Sequence, residues 1–351
     1  MKKYSLVAAT VAAAVSAGAF AGAPPLTGTP SAASPTVSLT IAGSSAAQSA
    51  LVSAFKSAVC GGASNSLTVT STGNTNFQSV SCSSSAAITT TGGTIAANTL
   101  ITVYYRSEGG SVVGALPIVT GYKPFRLNLS DSSCTAASGA TTGTCAVTGS
   151  SASNGTNDSF TGAVTPDTVQ LGVTDVEPSQ LTNADFPSNY NPTTWKITAA
   201  GGQAAVQTAL GNLTTSPLLQ QVFGIAVNAS GLTLNPAANG TINLSNASVA
   251  NILNGTDTDW SNVVDAVTGA PVSSTPATIS VINRENGSGT RTSTNIYFLG
   301  YQCGTTSSIA TGFGPLNFST GDDLSAAGSK AGSITYASID KVQPGNAAGL
   351  T

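Results

Sequence analysis

Residues 283–290 read Asn-Arg-Glu-Asn-Gly-Ser-Gly-Thr and gather one guanidinium, two hydroxyls and two glycines around a single turn. Those types at that spacing suit an oxyanion. Residues 279–282 (Ile-Ser-Val-Ile) predict a short strand, and the turn falls on Asn286, Gly287, Ser288 and Gly289. An amphipathic helix restarts at Thr290 and Arg291, carries Ile296, Tyr297, Phe298 and Leu299, and stops at Gly300. First-turn N–H groups lack partners within their own helix, and the helix dipole is positive there. Glycine lets an anion approach the backbone, while Ser288, Thr290 and Arg284 add convergent donors. A Gly-Ser-Gly triplet is equally an ordinary flexible turn, so this stretch alone does not specify the chemistry.

Two more stretches repeat the pattern of strand, Gly/Ser turn and helix. Residues 37–41 alternate as a strand should, Gly43-Ser44-Ser45 follow, and Ala47, Leu51, Phe55 and Ala58 then share one helical face. Residues 101–106 lead into Ser107-Glu108-Gly109-Gly110-Ser111 and a helix that Pro117 is expected to keep brief. A strand at 169–173 delivers Thr174 and Asp175 at its carboxyl end. Residues 67–72, 122–129, 222–228 and 333–338 read as further strands, and 201–213 and 246–254 as helices, with Trp260 plugging a core. The remainder of residues 122–165 after the strand at 122–129, rich in Ser, Thr and Gly, looks like a surface loop stapled by Cys134 and Cys145. Strands alternating with helices imply a mainly parallel sheet, whose ligands sit beyond the carboxyl ends of its strands.

Composition narrows the options. The 351 residues carry a net charge of −3, with only 7% charged side chains. That balance argues against nucleic-acid binding. With no histidine, imidazole acid–base catalysis, His-based triads and most zinc sites are excluded. Five cysteines fit an oxidising compartment. Local pairing favours Cys60 with Cys82 and Cys134 with Cys145, although spacing does not determine connectivity, and leaves Cys303 over. Lys2 and Lys3, an apolar run over residues 6–15 and Ala19-Phe20-Ala21 read as a signal peptide cut after Ala21, with a linker over 22–36. Gly22 in place of a cysteine gives no lipid-anchor signal, and no later stretch is apolar enough to span a membrane. A periplasmic or extracellular location follows.

Taken in order, several stretches resemble the periplasmic phosphate-binding proteins of ABC importers. They are LTIAGSSA (39–46), YYRSEGGS (104–111), VQLGVTD (169–175), FGIAVN (223–228), VANILNGTDTDW (249–260), NRENGSGT (283–290) and GSITY (332–336). The resemblance implies an α/β, two-lobed, type II periplasmic-binding-protein fold with the ligand cleft between its lobes. Lobe 1 would cover 37–222, including the insertion at about 122–165, and lobe 2 would cover 223–351. The ligand would be inorganic phosphate, the partner an ABC permease, and no cofactor or metal would be needed. By position, Ser45 and Ser107 would give hydroxyls, Ala46 a backbone N–H and Asp175 a buried acceptor. Arg284, Ser288, Gly289 and Thr290 would form the main cradle.

Asp175, acceptor-only as a carboxylate, suits a phosphate that still carries a proton and repels fully ionised sulfate. Read singly, Asp175 also fits a turn cap, Ser45 a helix cap, and Arg284 a surface pair with Glu285 or Glu177. The chain also departs from the family. Asn286 replaces an aspartate that helps hold the arginine, Glu108 brings a negative charge near the anion, and Ala46 replaces an aromatic wall. The family continues well past the strand matched at 332–336, so its C-terminal part is missing or shortened here. Cys303 fits either a missing partner or a free thiol. The alternatives are a secreted phosphatase-like enzyme on the same fold and a Ser/Thr-rich adhesive surface protein.

Overall fold

A computed structural model describes residues 37–342 apart from 91, 138–139, 150–157, 182–189, 239, 302–307 and 311. The expected signal peptide and linker, over residues 1–36, and Cys303 lie outside the described residues. The chain divides into two compact units, Met1–Gln220 and Gln221–Thr351. Each is a mixture of helix and strand.

In unit 1, β1 (Val37–Gly43) leads through a turn into α1 (Gln48–Ala58). There follow β2 (Leu67–Gly73), β3 (Phe77–Ser83), a small hairpin of β4 (Ile88–Thr90) and β5 (Gly93–Ile95), and β6 (Leu100–Arg106). Helix α2 (Gly110–Thr120) comes next. Then come β7 (Phe125–Leu127), β8 (Thr135–Ala136), β9 (Thr142–Thr148), β10 (Thr161–Gly162), β11 (Val164–Pro166), β12 (Leu171–Val173) and α3 (Gln203–Gly211). The main sheet runs β10-β9-β2-β3-β6-β1-β12, with β8 on β9.

Successive residues of a strand point to opposite faces, and β1 shows what that achieves. Leu39 and Ile41 pack with Leu51, Val52 and Phe55 of α1. Ala42 packs with Val112, Val113 and Leu116 of α2 and with Trp195. Helices therefore cover both faces of the sheet around β1.

Three sequence expectations need correction here. The sheet is mixed rather than mainly parallel: β3 runs antiparallel to both β2 and β6. Its sequence, FQSVSCS, hides the strand because Ser79 and Ser81 occupy buried positions where apolar residues are the usual signal. Region 122–165 is stapled by Cys134–Cys145, but it is not a loop, since β9 lies in the main sheet parallel to β2. Gly143, Cys145 and Val147 are buried and alternate with exposed Thr142, Thr144, Ala146 and Thr148, a period of two that small residues disguise. Helix α2 is not brief. It passes through Pro117 and ends at Gly121, because burial of every residue from Gly110 to Pro117 outweighs the roughly 3 kcal/mol that an internal proline costs. The pairing Cys60–Cys82 is present as well and ties β3 to the end of α1.

Gly114 of α2 lies directly on the sheet. A methyl group at Gly172 would sit 2.1 Å from the Gly114 carbonyl oxygen, and one at Gly43 (φ +128°) 2.0 Å from that of Val173. Only glycine permits this contact.

Unit 2 contains β13 (Phe223–Val227), α4 (Asn246–Leu253), β14 (Ser280–Val281), α5 (Gly289–Leu299), α6 (Thr320–Ser329), β15 (Ser333–Ser338) and α7 (Ile339–Val342). Its sheet is β13-β15-β14, antiparallel and then parallel, with every residue of the central β15 buried. Trp260 does plug the core: it is fully buried and donates its indole N–H to the Gly332 carbonyl at 2.8 Å. Helix α6 escaped the sequence reading because TGDDLSAAGS has no apolar stripe. Its start is nonetheless legible, since Ser319 accepts from the Asp322 N–H at 3.1 Å and donates to the Asp322 carboxylate at 2.7 Å.

Candidate functional site

In unit 1 the neighbouring strands β6, β1 and β12 are all parallel, so their carboxyl ends lie side by side. Ala42 pairs with both Arg106 and Gly172. The turns that follow, Ser44–Ala47, Ser107–Gly109 and Thr174–Asp175, therefore share one edge. Parallel α/β sheets bind ligands at such edges.

Ser44 is the hub. Its hydroxyl donates to the Asp175 carboxylate and accepts from the Ala47 N–H at 3.1 Å. Its N–H donates to the Val173 carbonyl at 2.9 Å, and its carbonyl accepts from the Tyr105 hydroxyl at 2.6 Å. Burial, and after it the charge of Asp175, pushes the Tyr105 phenol well up, so Tyr105 stays a hydrogen-bond donor. The Asp175 N–H donates to the Ser111 hydroxyl at 3.0 Å. Ser44, which the sequence reading did not single out, orients Asp175. Ser45 and Ala46 are buried in the turn entering α1, and neither α1 nor α2 has a side-chain cap at its N-terminus. Asp175 is half-buried rather than buried.

The Ser107 hydroxyl donates to the Asn76 carbonyl at 3.2 Å, toward the β2–β3 turn. Glu108 is buried and accepts from the Asn74 amide at 2.7 Å, so its charge is directed into the protein. Beside Ser107, Arg106 pairs with Asp158, both sealed from solvent. The guanidinium lies 5.6 and 4.9 Å from the Phe77 and Phe160 ring centres, and Tyr122 donates to Asp158 at 2.6 Å. Burial works against the guanidinium charge, but Asp158 holds the proton on.

In unit 2, Arg284 is buried, which removes the surface-pair reading. Its guanidinium donates to the Thr320 hydroxyl at 3.0 Å and to the carbonyls of Asn317 and Phe318 at 3.3 and 3.4 Å. Its N–H donates to the Tyr336 hydroxyl at 3.2 Å. Neutral acceptors on residues 317–320 thus grip the arginine for which a neighbouring aspartate was expected. Ser288 caps α5, accepting from the Arg291 N–H at 3.3 Å, and a hydroxyl that accepts this way keeps a proton to give. Gly289 and Thr290 are the first residues of α5, and both are buried.

Glu285 was not anticipated as an active member of this turn. It is buried, and its carboxylate accepts the Gly287 N–H at 2.6 Å. The sequence carried a hint, since a carboxylate two residues before a glycine can close a turn on that N–H. Ser44, Ser111, Tyr105 and the 317–320 segment are the other members the sequence reading missed.

Among the described residues no group of three or more His, Cys, Asp or Glu side chains is placed to hold a metal ion. No helix among them is long and apolar enough to cross a membrane. No protein family matches the chain, and no curated protein matches it.

Proposed function

We propose that the chain is an extracytoplasmic receptor for inorganic phosphate, of the two-lobed type II solute-binding kind, delivering its ligand to an ABC permease. The observation that carries this reading is the Ser44–Asp175 pair at the shared carboxyl edge of three parallel strands. A carboxylate can only accept hydrogen bonds. One held by a hydroxyl among helix N-termini suits an anion that brings its own proton. Hydrogen phosphate and dihydrogen phosphate do; sulfate near neutral pH does not. Discrimination then comes from the repulsion that an unprotonated ligand oxygen meets at Asp175.

Unit 1 supplies uncapped N-termini of α1 and α2, whose N–H groups and dipoles favour an anion. Unit 2 supplies the guanidinium of Arg284 and the Ser288-capped start of α5. Taking a tetrahedral anion out of water demands that its lone pairs meet fixed donors, and donors of this kind meet the demand without a metal. Two disulfides fit the oxidising compartment that the reading needs.

The test is calorimetry with phosphate and with sulfate near neutral pH, joined to thermal unfolding in each. Phosphate should bind and raise the unfolding midpoint as the logarithm of its concentration, with sulfate far weaker. Equal affinity for the two anions, or no shift with either, ends the proposal.

A further inference from the structure

Unit 2 buries a carboxyl group that the binding reading does not use. Asp323, in the first turn of α6, has no exposed surface. It accepts from the Thr335 hydroxyl of β15 and from the Asn317 side-chain amide at 3.2 Å. Asn317 is also the residue against which the Arg284 loop is docked. Its carbonyl receives the Glu285 N–H at 2.9 Å and the Arg284 Nε at 3.3 Å, and its own N–H donates to the Asn283 carbonyl at 2.9 Å. Thr320, which takes Arg284 Nη1 at 3.0 Å, opens the same turn of α6. The acceptors that aim the guanidinium are thus built on a segment that Asp323 anchors from beneath.

We propose that Asp323 is a positioning residue for Arg284, and that its protonation state sets how strongly the arginine's charge acts on a bound phosphate. The proposal rests on the receptor reading above. As a carboxylate, Asp323 places a negative charge within the electrostatic reach of the guanidinium and offsets its pull on the anion. As a neutral acid it leaves that pull intact while keeping its hydrogen-bonded place.

Burial pushes this carboxyl from the ordinary 3.8 up to about 7, against the charge of Arg284 and the hydrogen bonds from Thr335 and Asn317, with Asp322 adding to the rise. The remaining charged and titratable groups around it are few. Tyr336 on β15 faces it and lies in turn within the field of Arg291. Glu285 turns its carboxylate to Gly287. On α7, exposed Asp340 holds Gln221, and Lys341 is half-buried. The change between the two states therefore falls near neutral pH. Proton and anion are linked reciprocally, so phosphate binding that raises the Asp323 pKa by about one unit makes affinity about tenfold greater below the transition than above it.

The experiment is phosphate calorimetry from pH 5.5 to 8.5, about three units, on the intact protein and on Asp323→Asn. Phosphate's own ionisation is common to both, so the difference between the two profiles isolates the residue. The variant should bind with a flatter pH profile, its affinity at the alkaline end raised relative to the parent. Parallel profiles overturn the proposal. A second measurement needs no variant: carboxyl-carbon NMR of the ligand-free protein should show one aspartate titrating near neutrality and shifting upward when phosphate is added. Absence of any such carboxyl overturns the proposal whatever the ligand proves to be. Its presence without phosphate binding at any pH sinks the receptor reading, and the coupling to phosphate with it.

Discussion

The Gly/Ser turn of unit 1 that enters α1 and that of unit 2 that enters α5 each lead into a helix, and they are held in opposite ways. In unit 1 the turn after β1 is organised by hydroxyls around a half-exposed carboxylate, Ser44 with Asp175 and Ser111 with the Asp175 N–H. Its charged brace, Arg106 with Asp158, is a sealed ion pair one residue behind Ser107. In unit 2 the charge lies inside the turn, and Arg284 is held by two carbonyls and a hydroxyl. Unit 1 thus keeps its buried ion pair behind the edge formed by the strand ends and leaves an acceptor, Asp175, at that edge. Unit 2 commits its cation to the turn and holds it with neutral acceptors. A pattern that looks uniform in sequence supports two electrostatic designs.

The contrast breaks most visibly at the ion pair. Asp158→Ala strands a buried guanidinium and should cost unit 1 about 3–5 kcal/mol in urea unfolding. Trp195 and Trp260, one buried in each unit, allow the loss to be assigned by fluorescence. A loss under about 1 kcal/mol, as for an exposed pair, would show that Arg106 is not the brace. Next in size, Cys60→Ser with Cys82→Ser opens a loop of 22 residues and should cost about 3 kcal/mol. Both disulfides lie in unit 1, so reductant should lower its midpoint and leave that of unit 2 in place. Thr320→Val removes one neutral acceptor from Arg284. It should cost unit 2 about 2 kcal/mol and weaken phosphate binding about tenfold; an unchanged affinity would detach Arg284 from the ligand. The smallest effect sharpens the comparison most. Asp175→Asn should leave stability nearly unaltered but reduce the preference for phosphate over sulfate by about tenfold, or roughly 1.4 kcal/mol. Calorimetry with both anions reads it directly.

Where apolar periodicity was strong, the chain was readable. The strands at β1, β6 and β15, the helices α1 and α4, and the core position of Trp260 all follow from residues that bury the way their types suggest. The two disulfides follow from sequence proximity. Legibility failed where serine, threonine and glycine do the work of apolar residues. Strand β3 buries serines, β9 alternates buried glycine, cysteine and valine with exposed small residues, and α6 is announced only by its cap. The turns after β1, β6 and β12 were legible in the sequence, but the contacts made within them were not. Ser44 and Ser45 are adjacent and chemically identical, so only the geometry of the turn decides which reaches Asp175. The grip on Arg284 comes from residues 317–320, more than thirty positions downstream, and no local pattern could have announced that contact.

The glycine seam beneath α2 bears on how this edge of the sheet can change. Backbone rests on backbone where Gly114 meets Gly172 and where Gly43 meets Val173, and not even a methyl group can enter. The helix therefore has no freedom to ride up or slide as neighbouring side chains vary, and its first turn stays at a constant height above the strand ends. Change along this edge has to come from exchanging side chains at the strand ends, at half-buried positions such as Thr174 and Asp175. Reshaping the platform is closed to it, which leaves the side chains at the strand ends as the part free to diversify.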